Sequence, residues 1–328
     1  MKNENTKGFR EGAMMVALTA VLLFVSRYIP FLSILGMIIS CLPLAVLAAR
    51  NNLKVVIPSL IAAFLITFLI DGNILSAVST LLSSYIPGVV LGYMLGQKKP
   101  FFLTLLVTST VVSVSWIFEL LLLELLMNNG IKEIFDEIFK QSEALMLEIT
   151  KNLNFKPNGN LNISPEELVR SIFETAQNTI TAYFPSIVVI SSIFRSYIIL
   201  RLASFVLKRA KLAEVETVPF SMIIAPRSMS TVAIITYLIY IFTDPTSILF
   251  PILGNVIFIL YTIIGICGLS LIDFKFKSKI KTDFLRFLIY GLVFLFGGVF
   301  MSVISSILII IGIMDASRDF RRIKTDNI

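Results

Sequence analysis

Arg195, Glu119 and Glu124 are ionisable side chains set inside long apolar runs, and they mark where chemistry in this chain is to be sought. A charge in the middle of a membrane costs about 2.5–3.5 kcal/mol on insertion scales unless it is paired or hydrated, so such a residue is a site candidate by default. Arg195 falls near the middle of its run, and Glu119 in the outer half of the run before it. Counted from the outer ends, the two differ in depth by about five residues, or ~7 Å of helix rise, within the reach of an arginine side chain. That match predicts one of two things: a structural Glu119–Arg195 pair holding two helices together, or two groups facing a cavity that binds a polar or charged ligand. Trp116, in the same run as Glu119, is grouped with them as a candidate ligand contact. Glu124, Arg27 and Arg201 lie nearer the interfaces, where long side chains snorkel to water.

The absences narrow the chemistry. The chain has no histidine, which excludes His-based zinc, nickel or cobalt sites and histidine acid–base catalysis. It carries no Gly-x-x-x-x-Gly-Lys-Ser/Thr phosphate loop, Gly-x-Ser-x-Gly elbow or Cys-x-x-Cys pair. Asp71, Asp244, Asp273 and Asp315 all stand at the ends of apolar runs, which argues against an intramembrane protease built on paired aspartates. Neither an enzyme nor a cofactor or metal site is expected. Cys41 and Cys267 both fall inside apolar runs and read as buried thiols.

The elements that position these residues are spans. The apolar runs are Met14–Ile29, Phe31–Ala49, Leu53–Ile70, Ile74–Leu95, Phe101–Met127, Ala182–Leu207, Met229–Phe242, Ile248–Ile272 and Phe284–Met314. About 20 apolar residues cross the ~30 Å hydrocarbon core as a helix, and continuous rather than alternating runs exclude a barrel. The expected fold is an all-α polytopic bundle of about eight to ten transmembrane helices. Composition agrees: 56% hydrophobic and 15% charged residues, with a mean hydropathy of +0.89, describe a chain whose solvent is lipid. The excess of 28 Lys+Arg over 21 Asp+Glu sits beside the spans, as positive-inside bias rather than as a nucleic-acid surface.

Charge also predicts topology. Lys2, Lys7 and Arg10 place the N-terminus in the cytoplasm, and the clusters at Arg50/Lys54, Lys98/Lys99, Lys208–Lys211 and Lys275–Arg286 stay on that side. The basic tail, with Arg318, Arg321, Arg322 and Lys324, belongs there too, which requires Phe284–Met314 to be a hairpin broken at Gly297-Gly298. The localisation expected is a multi-pass protein of a bacterial cell membrane.

Residues 128–181 form the one long polar stretch and fall outside in this scheme. Ile131, Ile134, Phe135, Ile138, Phe139, Leu145, Met146, Ile149 and Leu153 keep a helical period. Ser164-Pro165-Glu166-Glu167 supplies an N-cap, a first-turn proline and a capping-box glutamate for a second helix. The two apolar stripes are expected to pack as an external helical hairpin, the alternative being a first helix laid on the membrane surface. The chain then divides into residues 1–127, the excursion 128–181, and 182–328.

Small residues mark contact faces. Ala13-x-x-x-Ala17 in the first span, and Gly88-x-x-x-Gly92-x-x-x-Gly96 after Pro87 in the fourth, let another helix approach closely, either within the protein or from a partner.

The short basic lead, the Ala13-x-x-x-Ala17 pattern and the small-residue-rich early spans resemble the substrate-binding S components of energy-coupling factor (ECF) transporters. Val218-Pro219-Phe220-Ser221 leading to Ala225-Pro226-Arg227, and Gly312-Ile313-Met314-Asp315 followed by Asp319-Phe320-Arg321, resemble the YybS family of uncharacterised bacterial multispan membrane proteins, itself distantly similar to S components. This resemblance implies that Ala13 and Ala17 dock a transmembrane coupling subunit that works with an ATPase. It departs from the pattern in length, since S components lack both the polar excursion and the extra C-terminal spans. The expected function is capture of a small solute for a separate ATP-hydrolysing module. The alternative is a non-transporting scaffold or envelope-assembly protein that binds partners through its external hairpin.

Overall fold

The computed structural model describes residues 2–29, 36, 38–127, 131–152, 164–210, 218–296, 300–318 and 320–321. Every regular element among them is helical. The order is α1 (Lys2–Tyr28), α2 (Leu42–Arg50), α3 (Leu53–Asp71), α4 (Ile74–Gly96), α5 (Phe101–Met127), α6 (Ile131–Asn152), α7 (Pro165–Arg209), α8 (Arg227–Phe242), α9 (Leu249–Phe276), α10 (Asp283–Phe296) and α11 (Met301–Arg318). Seven of them, α1, α3, α4, α5, α7, α9 and α11, are long and apolar enough to span a membrane, and α8 is a shorter apolar helix. Within the run Phe31–Ala49, a turn at Ser40–Cys41 precedes α2, which has Pro43 in its first turn. Phe284–Met314 yields two separate helices, α10 and α11, and the glycines expected to divide them lie outside the described residues.

Two compact units divide the chain at Glu216–Thr217. Element α7 is a single helix of 45 residues that starts at the Ser164 capping box and runs on through Pro185 into the apolar span. At about 68 Å it is more than twice the thickness of the hydrocarbon core. The polar helix α6 packs along its N-terminal half, as the hairpin reading expected. Gln177 donates to Asp136 at 2.6 Å, Lys151 and Arg170 pair with Glu166 and Glu143, and Phe135 meets Phe184 edge to face. These contacts are largely polar, and Ile138, Leu145, Met146 and Ile149 of α6 remain exposed.

In the N-terminal unit, Val16, Leu44, Leu47, Val56, Ala63 and Tyr85 bring α1, α2, α3 and α4 around one core. The tightest approach is between α4 and α2. A Cβ on Gly88, Gly92 or Gly96 would stand 2.8, 2.0 or 2.5 Å from the carbonyl oxygens of Cys41, Ala45 and Ala49. The three glycines thus serve internal packing, against a second small-residue row of the same period. Gly12 does the same for α1 against Ser59 of α3. In the C-terminal unit, Gly268 of α9 and Gly312 of α11 face the carbonyls of Leu308 and Ile264, beside a core of Ala225, Ala233, Cys267 and Ala316.

Candidate functional site

Glu119 and Arg195 flank α4 through two different serines. Ser79 donates a hydrogen bond to Oε1 of Glu119, and Nη2 of Arg195 donates to Oγ of Ser84 at 3.0 Å. No ion pair joins Glu119 to Arg195 among the described residues. In place of the direct pair, one of the two alternatives the sequence offered, each has a separate attachment to one helix. Just after Ser79, α4 widens into a π-helical turn, Leu81–Tyr85, which contains Ser84. In a regular α-helix, residues five apart point ~140° away from each other; the wider π turn narrows that separation. Its last residue is anchored by a buried hydrogen bond of 2.7 Å between Tyr85 and Thr67 of α3.

Arg195 is 8% exposed, and its Nε and Nη1 are buried without a hydrogen-bond partner. Glu119 instead lines a cavity of about 250 Å³ between α4 and α5, with Asn73, Ser76 and Ser79 as its polar wall and Leu82 and Leu122 among its aliphatic ones. Ser76 also donates to Asp71 at 2.6 Å. Asp71 is in turn paired with Arg27 at 3.0 Å, and Arg27 donates further to Ser76 and Thr80. Arg27 therefore does more than snorkel: it ties α1 to the α3–α4 turn. Trp116 is half-buried and is not part of the cavity lining. Glu124 is exposed and Arg201 half-buried. Among the described residues, no group of three or more acidic, histidine or cysteine side chains converges as a metal site.

Ala13 and Ala17 are exposed, on a face of α1 that this chain does not cover, while Gly12, Val16 and Thr19 face inward. The first helix thus has two small-residue faces, one spent on internal packing and one left open.

The sequence reading set aside Asp273 and Asp315 as span-end residues, yet both anchor buried ion pairs in the C-terminal unit. Asp315 Oδ2 lies 2.8 Å from Arg321 Nη2, with both side chains fully buried, although the contact is not aligned as a hydrogen bond. Arg321 donates to the carbonyls of Ser221 and Cys267 and to Oγ of Ser270, and Ser270 donates to the carbonyl of Phe220. Asp273 accepts from Arg286 at 2.6 Å and from Tyr290 at 3.0 Å. The visible signal was a carboxylate at a span end followed within a short loop by an arginine, which charge counting had assigned to topology alone.

A family model described as "Predicted membrane protein (DUF2232)" matches residues 17–316. No curated protein and no solved structure matches the chain.

Proposed function

The chain belongs to the Predicted membrane protein (DUF2232) family, and from that footing we propose that it captures a small solute within the membrane and relies on a separate ATP-hydrolysing module for energy. The observation that supports this reading is the cavity with Glu119 in its wall, where a carboxylate within an apolar helix stands beside open space and three further polar side chains. The open Ala13/Ala17 face supports it in turn, since two methyl-sized side chains let a partner helix approach closely. The same face is the one that a likeness to ECF S components assigns to coupling. In this reading the protein lies in the bacterial cell membrane with both termini in the cytoplasm.

Native mass spectrometry of gently purified protein tests capture, with a co-purified small molecule as the expected result. Affinity purification tests the energy source, with ATPase and coupling subunits recovered by the wild type and lost on Ala17→Trp. The second reading, a scaffold, is favoured by the uncovered Ile138, Leu145, Met146 and Ile149 of α6. Recovery of envelope proteins without any ATPase would select it.

A further inference from the structure

Resting on the capture reading, we infer that the Glu119 cavity takes an organic cation, a compact apolar body bearing an ammonium or guanidinium group. The argument is one of charge accounting around the cavity. Of the two carboxylates at this end of α3, α4 and α5 that are not open to solvent, Asp71 is already neutralised by Arg27 at 3.0 Å and further satisfied by Ser76. Glu119 has only the hydroxyl of Ser79, which occupies Oε1 and leaves Oε2 for a ligand N–H. Arg195 acts on Glu119 through space only: its guanidinium forms no ion pair with the carboxylate, donates to Ser84 and is no part of the cavity wall.

Among the described residues lining the cavity, Glu119 is the one ionisable side chain. Glu119 is half-buried, and a bound cation offsets the desolvation of its carboxylate where an anion would add repulsion. Asn73 and Ser76 line the polar side of the wall with oxygens already bonded to Leu75 N–H and to Arg27 and Asp71, which leaves Glu119 as the principal acceptor, while Val78, Leu82 and Leu122 give an aliphatic surface for the rest of the molecule. A hard metal ion does not fit this wall, since such ions take six or more oxygens and the cavity offers one carboxylate and three neutral polar side chains among aliphatic groups.

The test uses the full-length protein in lipid nanodiscs and three probes of nearly equal shape: phenethylamine, phenylacetate and phenylacetamide. Equilibrium dialysis and thermal shift are read for each. Phenethylamine is expected to bind and to raise the unfolding temperature, to lose about tenfold or more in affinity on Glu119→Gln, and to keep its preference over phenylacetate on Glu119→Asp. Glu119→Asp keeps the test decisive where Glu119→Gln fails to fold. Binding of phenylacetate or phenylacetamide in preference to the amine overturns the cationic class and leaves capture standing. Equal uptake of the amine by wild type and Glu119→Gln overturns the assignment of Glu119. Failure of all three probes overturns the inference, and if native mass spectrometry also finds no bound molecule, the capture reading falls with it.

Discussion

Gly92 lies directly beneath the main chain of Ala45: a Cβ added to it would stand 2.0 Å from the Ala45 carbonyl oxygen. Helices α2 and α4 therefore touch backbone to backbone, a geometry that small residues alone permit, and in lipid such close packing takes the place of the hydrophobic effect as the force between helices.

Gly92→Ala is accordingly expected to destabilise the protein by about 1–3 kcal/mol through overpacking. Gly291→Ala is the control, because a Cβ there meets nothing within 4 Å. Thermal unfolding of the two variants in the same detergent checks this; equal melting points would contradict the close contact.

Breaking the buried Asp315–Arg321 pair leaves one uncompensated charge. Asp315→Asn or Arg321→Gln should each cost about 3–5 kcal/mol, and the double substitution should cost less than the sum of the two. The folded fraction recovered after solubilisation measures all three. Strict additivity would show that the two groups do not interact.

Glu119 and Arg195 attach to different serines of α4, so Glu119→Gln and Arg195→Gln are expected to be additive in stability to within about 0.5 kcal/mol. A double-mutant cycle on unfolding free energies decides the point. A coupling well above that would restore the direct pair.

On α1, Ala17→Trp should leave the unfolding free energy of the isolated protein nearly unchanged, within about 0.5 kcal/mol, because Ala17 is exposed. Gly12→Leu, whose Cβ would lie 2.5 Å from the Ser59 hydroxyl, should destabilise it. If the substitution at Ala17 proves the more damaging of the two, the open face is misassigned.

Much of this architecture was legible in the residue order because lipid is an unforgiving solvent. Runs such as Leu53–Asp71 and Phe101–Met127 must be helical, since only helices satisfy the backbone there, and Ser164 with Glu167 marked the start of α7 through hydrogen bonds local to one turn. The small-residue rows of α1 and α4 were equally plain as patterns, and Glu119 as a candidate was plain from its cost in the membrane. What each row packs against was not: whether Gly88, Gly92 and Gly96 meet Cys41, Ala45 and Ala49, and whether Ala13 and Ala17 stay open, depends on rotations of whole helices that single-helix periodicity does not encode. Partners of charges were hidden for the same reason. Depth along the membrane normal made a Glu119–Arg195 pair look natural, but lateral position and the π turn of α4 gave each its own serine. Asp315 and Arg321, read as a span end and a topology signal, meet because α11 and the chain after it close over α9. Segregation into lipid was determined by sequence composition; which polar groups meet was decided by how the helices pack on one another, for partners distant in the chain, as Arg195 and Ser84, and for near ones, as Arg321 and Asp315.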